Sequence, residues 1–150
     1  MQGGMLYHAI KDKQSRAYFN QFSIKLRGEV EASKLEESFN RIVSRYDTLK
    51  TVFAYEGLTE PVQIVLEGIK IRLSYEDISS LAEAGQINHI NQLQKRDREK
   101  GFDITREYPN KFHLLKTGEK TYRLQWTTHH ILSDGWSMGI IIKELTEIYR

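Results

Sequence analysis

The sequence contains no cysteine and only two prolines among its 150 residues. Without cysteine there is no disulfide, no cysteine-ligated zinc and no thiol nucleophile, and a reducing compartment is the natural environment. A membrane-spanning helix needs about 18 consecutive apolar residues, and short runs such as Ile140 to Ile142 fall far below that length. The first residues also lack the basic and then apolar plan of a secretory signal. We therefore expect a cytoplasmic protein that makes no membrane contact.

The charges are nearly balanced, with 22 basic and 20 acidic residues and a net charge of +2. The densest basic segment, Lys95 to Lys100, has acidic residues interleaved with its basic ones. A nucleic-acid-binding chain is expected to concentrate basic residues instead, so we expect no nucleic-acid partner. A chain of this length can bury one core of its own, and no linker or internal repeat divides it.

Alternation of polar and apolar residues predicts the strands. In the first of them, Phe22, Ile24 and Leu26 share one face, and Gly28 ends the strand. Shorter apolar and β-branched runs in the middle of the chain are typical of meandering strands, and two later strands flank the turn at residues 117–120. The predicted strands are Tyr18 to Leu26, Thr51 to Tyr55, Val62 to Leu66, Ile69 to Tyr75, Lys111 to Lys116 and Thr121 to Thr128.

Helical spacing of apolar residues predicts three helices. The first follows Ser33, which has capping-box spacing to Glu36, and its apolar positions are Leu35, Phe39, Ile42, Val43 and Tyr46. A polar segment from Leu81 to Lys100 predicts a solvent-exposed helix with the stripe Ile87, Ile90 and Leu93. The last helix runs from about Trp136 to Arg150. Because strands and helices do not alternate strictly, this order predicts an α+β fold.

Two adjacent histidines, His129 and His130, stand four residues before the pair Asp134 and Gly135, where a strand gives way to a helix. On a strand, neighbouring side chains point to opposite faces, so only one of the two can enter a given cavity. Asp134 is placed to cap the last helix, and Gly135 leaves room for a backbone amide to approach a substrate oxygen. By spacing alone, a structural histidine beside a helix cap explains the pattern equally well.

The segment HHILSDG at residues 129–135 resembles the HHxxxDG motif of the condensation domains of nonribosomal peptide synthetases, which share a superfamily with chloramphenicol acetyltransferase-like enzymes. Residues 1–9, 44–53 and 101–104 resemble three further landmarks of that family, in the family's order. The chain departs from the family pattern at Tyr46 and Lys50, where the family usually has His and Arg, and at Asn110, where an apolar residue is common. The last departure predicts an irregular entry into the strand.

The resemblance implies a fold and a site. The fold is a chloramphenicol acetyltransferase-like two-layer sandwich, a mixed sheet packed with helices, and residues 1–150 are expected to be the N-terminal one of two subdomains, truncated at both ends. We expect the strand carrying Trp126 to be central and to deliver His130 to an open groove. The resemblance assigns His130 as the catalytic residue, either as a general base or by positioning an amine. It makes His129, Asp134, Gly135 and Arg45 supporting residues, with Arg45 paired to Asp134.

The implied reaction joins a carrier-bound acyl thioester to the α-amine of a carrier-bound aminoacyl group. No cofactor is expected on this chain itself, because 4'-phosphopantetheine belongs to the carrier domains, and no metal is expected. The implied partners are peptidyl and aminoacyl carrier domains, an adenylation domain and the C-terminal condensation subdomain. Without that second subdomain, the fragment is expected to be folded but inactive.

Two alternatives share the scaffold. An epimerisation domain, or another HHxxxDG acyltransferase, has the same histidines, but Trp136 and Ser137 followed by MGIIIKEL resemble condensation domains better. A non-catalytic docking platform typically lacks the second histidine, whereas His130 is present here. The other histidines, His8, His89 and His113, have no metal-ligand spacing and are expected to be structural or surface residues.

Overall fold

The computed structural model describes residues 2–11 and 18–150, and this part of the chain confirms the α+β class. Its helices and strands follow one another without strict alternation. In chain order they are α1 (Gln2–Lys11), β1 (Phe19–Arg27), α2 (Ala32–Arg45), a 3-10 helix (Asp47–Lys50), β2 (Thr51–Ala54), β3 (Val62–Val65), β4 (Leu73–Asp77), α3 (Glu83–Lys100), β5 (Asn110–Gly118), β6 (Thr121–His129) and α4 (Gly135–Tyr149).

Strand β6 lies inside a four-stranded sheet of order β1-β6-β5-β4. It pairs antiparallel with β1 on one side and with β5 on the other, while β4 and β5 run parallel. The sheet is therefore mixed, and the predicted interior position of the strand that carries Trp126 is confirmed. The predicted irregular entry into β5 is wrong, because β5 pairs in register from Asn110 and its only register shift lies at the other end, between Lys116 and Gly118.

The predicted meander is also wrong in its third strand. Strands β2 and β3 form a separate antiparallel pair, but β4 joins the larger sheet and begins at Leu73 rather than Ile69. The turn before β4 is fixed by the side chain of Asn40, whose Oδ1 accepts from the backbone N–H of Ile71 at 2.7 Å. Because β4 and β5 are parallel, the chain needs a crossover between them, and α3 supplies it.

Helices α2 and α4 cover one face of the sheet and bury the main core. Trp126 of β6 lies at its centre, 2% exposed, with its ring centroid 5.7 Å from that of Phe39 and 5.2 Å from that of Phe112. Its indole N–H donates to the side-chain oxygen of Asn110 at 2.8 Å. The helical apolar stripe predicted for α2 lies in this core, with Leu35, Phe39, Ile42 and Val43 buried.

The capping box predicted for α2 is wrong. The N-cap position is Glu31 rather than Ser33, and the Ser33 hydroxyl donates to the Glu31 carboxylate at 2.7 Å. Glu36 is engaged elsewhere, because it accepts the backbone N–H of Leu73 at 2.8 Å. The carboxylate that the spacing assigns to the helix start thus holds the first residue of β4 against α2.

Helix α3 lies on the opposite face of the sheet. Its Leu93 packs against Ile78 and Leu115, whereas Ile87 is 53% exposed, as expected for a mostly solvated helix. Although α3 has 18 residues, it is strongly polar. Within residues 2–11 and 18–150, no helix combines the length and apolar character that a bilayer crossing requires.

A buried carboxylate connects α3 to the sheet. Asp97 is 5% exposed, and one carboxylate oxygen lies 3.0 Å from Nε2 of His113 and the other 3.9 Å from Nζ of Lys111. Burial opposes ionisation of Asp97, but the hydrogen bond from His113 and the nearby positive charges hold its pKa below the ordinary value. The ionised carboxylate therefore anchors the polar helix.

A second apolar cluster fixes the chain that follows β6. Met5 and Leu6 of α1 are buried against Ile131 and Leu132, together with Phe53 and Ile104. The sequence patterns predict no helix at this end of the chain, so α1 is a difference between prediction and structure. Through this cluster, α1 packs against the residues that connect β6 to α4.

Candidate active site

His130 follows directly after the last residue of β6 and is half-buried. Its backbone N–H donates to the carbonyl oxygen of Tyr18 at 2.7 Å, which extends the pairing of β6 with β1 by one residue. Its ring nitrogen Nδ1 lies 3.2 Å from Nδ2 of Asn20. The ring is thus held at one end while part of the side chain remains open to solvent, and it is not enclosed by the core.

His129 differs sharply from its neighbour. It is 6% exposed, and its Nδ1 accepts the backbone N–H of Ile131 at 3.2 Å. Burial, with a smaller contribution from the charge of His130, lowers the pKa of His129 to about 4. His129 is therefore neutral near pH 7 and acts as a buried support for the turn after β6, as strand alternation predicts for one member of the pair.

Asp134 caps α4. Its carboxylate accepts the backbone N–H of Ser137 at 2.8 Å and the Ser137 hydroxyl at 2.7 Å. These two bonds, the backbone one first, lower the pKa of Asp134 below its ordinary value. The predicted cap is confirmed, and satisfying amides of the first helical turn is the usual work of an N-cap aspartate.

The predicted ion pair between Arg45 and Asp134 is wrong. Arg45 pairs instead with Glu144, Nη1 to Oε2 at 3.0 Å, and the Tyr46 hydroxyl donates to the other oxygen of the same carboxylate. Helix α2 packs beside α4, and the end of α2 reaches Glu144, about 13.5 Å along α4 from its first residue at a 1.5 Å rise per residue. The family resemblance implies the carboxylate at the cap, whereas the packing of the two helices presents the carboxylate of Glu144 on the side of α4.

Gly135 begins α4 and is exposed, with open space where a Cβ would stand. The next side chain, Trp136, is 88% exposed. That the Gly135 amide faces a substrate oxygen stays a prediction. The structure thus gathers His129, His130, Asp134 and Gly135 at one end of β6 and leaves Arg45 on the side of the α2–α4 pair.

The remaining histidines lie elsewhere. His89 lies on α3, 3.0 Å from the carboxylate of Glu76 on β4. Nε2 of His113 lies 3.0 Å from the carboxylate of Asp97. His8 is exposed on α1. In the part of the chain that the structure describes, no three histidine or carboxylate side chains are grouped closely enough to share a metal ion.

Asn20 is the site residue that sequence reasoning missed. It lies on the same face of β1 as Phe22, the face that packs towards the main core. The signal was present, because a polar residue interrupting the apolar face of an alternating strand indicates a specific partner. The partner, 110 residues away in the sequence, is not encoded locally.

The fold and the site together define an HHxxxDG protein, in which an interior strand of a mixed sheet ends at the histidine pair and an aspartate caps the next helix. The sequence model of the condensation domain matches residues 1–150, and the chain belongs to the condensation-domain family. The resemblance noted in the sequence is thereby confirmed.

Relatives and solved structures agree with this assignment. Bacitracin synthase 3 of Bacillus licheniformis is 44% identical over 150 residues, which make up 100% of this chain and 2% of that protein. Surfactin synthase subunit 3 of Bacillus subtilis (strain 168) is 37% identical over 150 residues, 100% of this chain and 12% of that protein. The starter condensation domain of rhizomide synthetase has the same fold, with a TM-score of 0.87 at 17% identity over 99% of this chain and 35% of that one. This chain therefore spans a small part of its relatives and about a third of that solved domain.

Proposed function

We propose that this chain is the N-terminal subdomain of a condensation domain and supplies His130 and one wall of a site for peptide-bond formation in a nonribosomal peptide synthetase. The observation that carries the proposal is the contrast between the two histidines of the motif. His129 is desolvated and neutral, whereas His130 is half-buried with its ring held by Asn20. Together with family membership, this contrast favours His130 as the side chain that meets the reactants.

The proposed reaction transfers a donor acyl group from its thioester to the α-amine of an acceptor, both carried on 4'-phosphopantetheine arms of carrier domains. An α-amino group has a pKa of about 7.7–8.0, so much of it is already nucleophilic near neutral pH. Holding two reactants in line can supply about 7–11 kcal/mol, while a single acid or base group supplies about 10²–10⁴-fold in rate. Positioning is therefore the larger contribution, and His130 needs only to orient or polarise one reactant.

The proposal gives the other site residues supporting roles. His129 holds the turn after β6, and Asp134 fixes the start of α4, where Gly135 leaves space for a substrate. The proposed partners are carrier domains, an adenylation domain and a second condensation subdomain in a cytoplasmic synthetase. The absence of cysteine from the chain is in keeping with a reducing compartment.

The test grafts residues 1–150 in place of the matching segment of surfactin synthase subunit 3. Donor and acceptor carrier domains are loaded, and formation of the peptide on the acceptor is followed by mass spectrometry. His130→Ala is expected to lower the rate by about 10²-fold or more. The matched control is His89→Ala, since His89 lies on α3 and contacts the surface carboxylate of Glu76 on β4, and its rate is expected to stay unchanged.

Three outcomes contradict the proposal. Equal rates for the graft and its His130→Ala variant would remove His130 from the chemistry. Inversion at the α-carbon of a carrier-bound residue without peptide formation would make the domain an epimerase. A clear His130-dependent rate from residues 1–150 alone, added to the loaded carriers, would refute the claim that this chain forms only one wall of the site.

A further inference from the structure

His130 contacts the start of β1 at two points, Tyr18 just before the strand and Asn20 within it. Its backbone N–H donates to the Tyr18 carbonyl at 2.7 Å, and its ring nitrogen Nδ1 lies 3.2 Å from the amide nitrogen of Asn20. Asn20 is half-buried and lies opposite Thr128 of β6, so its side chain stands on the sheet face from which His130 emerges. The two contacts fix both the backbone and the ring of His130.

The chemistry of the Asn20 contact determines where the ring proton lies. An asparagine amide nitrogen donates hydrogen bonds and does not accept them, while a neutral imidazole has one donor and one acceptor nitrogen. Because the Asn20 nitrogen faces Nδ1, Nδ1 must accept. The proton of the neutral ring is then on Nε2, the nitrogen at the far end of the ring from Asn20.

We propose that Asn20 is a positioning residue that keeps neutral His130 in its Nε2–H tautomer, so that the ring presents a hydrogen-bond donor to the reactants. The mechanistic part of this inference rests on the function proposed above, whereas the tautomer itself does not. The inference excludes the general-base role left open by the sequence, because an Nε2 that already carries a proton cannot take one from the amine. Instead of holding the amine, the ring then donates a hydrogen bond to an oxygen of the reactants.

The reaction balances with His130 in this role. The free amine attacks the thioester carbon, the C=O electron pair moves onto oxygen, and Nε2–H donates a hydrogen bond to that oxygen. When the electron pair returns, the C–S bond breaks and the departing sulfur receives the proton that the attacking nitrogen gives up. The products are an amide and a thiol, and His130 neither gains nor loses a proton.

The tautomer is read directly by long-range ¹H–¹⁵N NMR of the uniformly labelled 150-residue chain at pH 7.5, with His130 assigned from the signals that disappear in His130→Gln. We expect Nδ1 to resonate as an unprotonated nitrogen and Nε2 as a protonated one, with the Nε2–H form in about fivefold excess or more. The signals of His129 in the same spectra report that each variant is folded.

Two substitutions test whether Asn20 causes this preference. Asn20→Asp puts an acceptor-only carboxylate at the same place, and it is expected to move the proton to Nδ1. Asn20→Leu removes the partner and is expected to leave a mixture of both forms. The matched control is Gln21→Glu, which adds the same charge one residue along on the opposite face, where Gln21 contacts Arg98, and it is expected to leave the tautomer unchanged.

A wild-type ring with its proton on Nδ1 would overturn the proposal, as would an Asn20→Asp variant whose His130 tautomer matches that of wild type. In the surfactin graft, Asn20→Asp is expected to change the pH profile of peptide formation. If His130→Ala leaves that graft fully active while the NMR results hold, the proposed function fails and the assignment of Asn20 stands.

Discussion

The depressed pKa of His129 predicts a specific loss of stability in mild acid. Its pKa falls from the ordinary 6.5 to about 4 in the fold, so the folded chain resists protonation that the unfolded chain accepts. A group whose pKa is lowered by folding contributes stability that is complete above its unfolded pKa and is lost as the pH falls through the folded value. At about 1.4 kcal/mol per pKa unit, the contribution lost between pH 7.5 and pH 4 is about 3 kcal/mol.

His129→Asn isolates this contribution. The Asn Oδ1 can accept the backbone N–H of Ile131 as the ring Nδ1 does, but an amide does not titrate in this range. The smaller side chain leaves a cavity whose cost is the same at every pH. Relative to wild type, the variant is therefore expected to gain about 3 kcal/mol in unfolding free energy between pH 7.5 and pH 4.

The assay is urea unfolding, followed by tryptophan fluorescence and circular dichroism at half-unit pH steps. His8→Asn is the matched control, because His8 is an exposed residue of α1, and its stability is expected to follow that of wild type at every pH. Parallel pH profiles for wild type and His129→Asn would refute the reasoning. An NMR titration in which the His129 ring protonates near pH 6.5 in the folded chain would refute it equally.

Three further predictions concern the core and the helix cap. In a double-mutant cycle, Asn110→Leu in wild type leaves the buried indole N–H of Trp126 without its acceptor. It is therefore expected to be about 1–3 kcal/mol less favourable there than in Trp126→Phe, which has no such donor. Equal effects in both backgrounds to within about 0.5 kcal/mol would contradict the bond. Asp97→Ala is expected to lower the free energy of unfolding by about 3 kcal/mol at pH 7, measured by chemical unfolding. Because folding lowers the pKa of Asp97, the extra stability of wild type over this variant shrinks as the pH falls below about 3.9. Asp134→Ala is expected to lower the urea midpoint because the helix cap is lost, and Asp134→Ser is expected to restore most of it. Arg45→Ala is expected to leave the midpoint nearly unchanged. Equal losses for Asp134→Ala and Arg45→Ala would favour the ion pair between Arg45 and Asp134.

Much of the local structure follows from the sequence, because strand and helix periods are local properties. The alternation around Phe22, the helical stripe of α2 and the strand that carries Trp126 each predict an element whose bounds agree with the structure to within a few residues. The choice of pairing partner is not local. Residues 69–75 have the pattern of a meander strand, yet β4 pairs in parallel with a strand that begins more than 30 residues later.

The site residues show the same contrast between what local sequence determines and what tertiary packing determines. Asp134 caps the helix that begins beside it, as its spacing predicts. Glu36 is assigned by its capping-box spacing and Arg45 by the family resemblance. Their observed partners, Leu73 and Glu144, are instead selected by how α2 packs against β4 and α4. A side chain that can bond to several partners is assigned by tertiary geometry, and the sequence does not specify that geometry residue by residue.

Amide hydrogen exchange is expected to be slow along β6, because the strand is paired on both sides. Its backbone is bonded to β1 and β5 along its length, and the bond from His130 to Tyr18 extends the ladder by one residue. Amides of such a strand exchange only when most of the fold opens, whereas those of an exposed turn exchange through local fraying. The amides of Ile131 and Leu132 are bonded as well, to the ring Nδ1 and to the carbonyl oxygen of His129, and both residues are buried. The boundary between slow and fast exchange is therefore expected after Leu132, and the exposed turn around Asp134 can fluctuate while the histidine backbone stays in place.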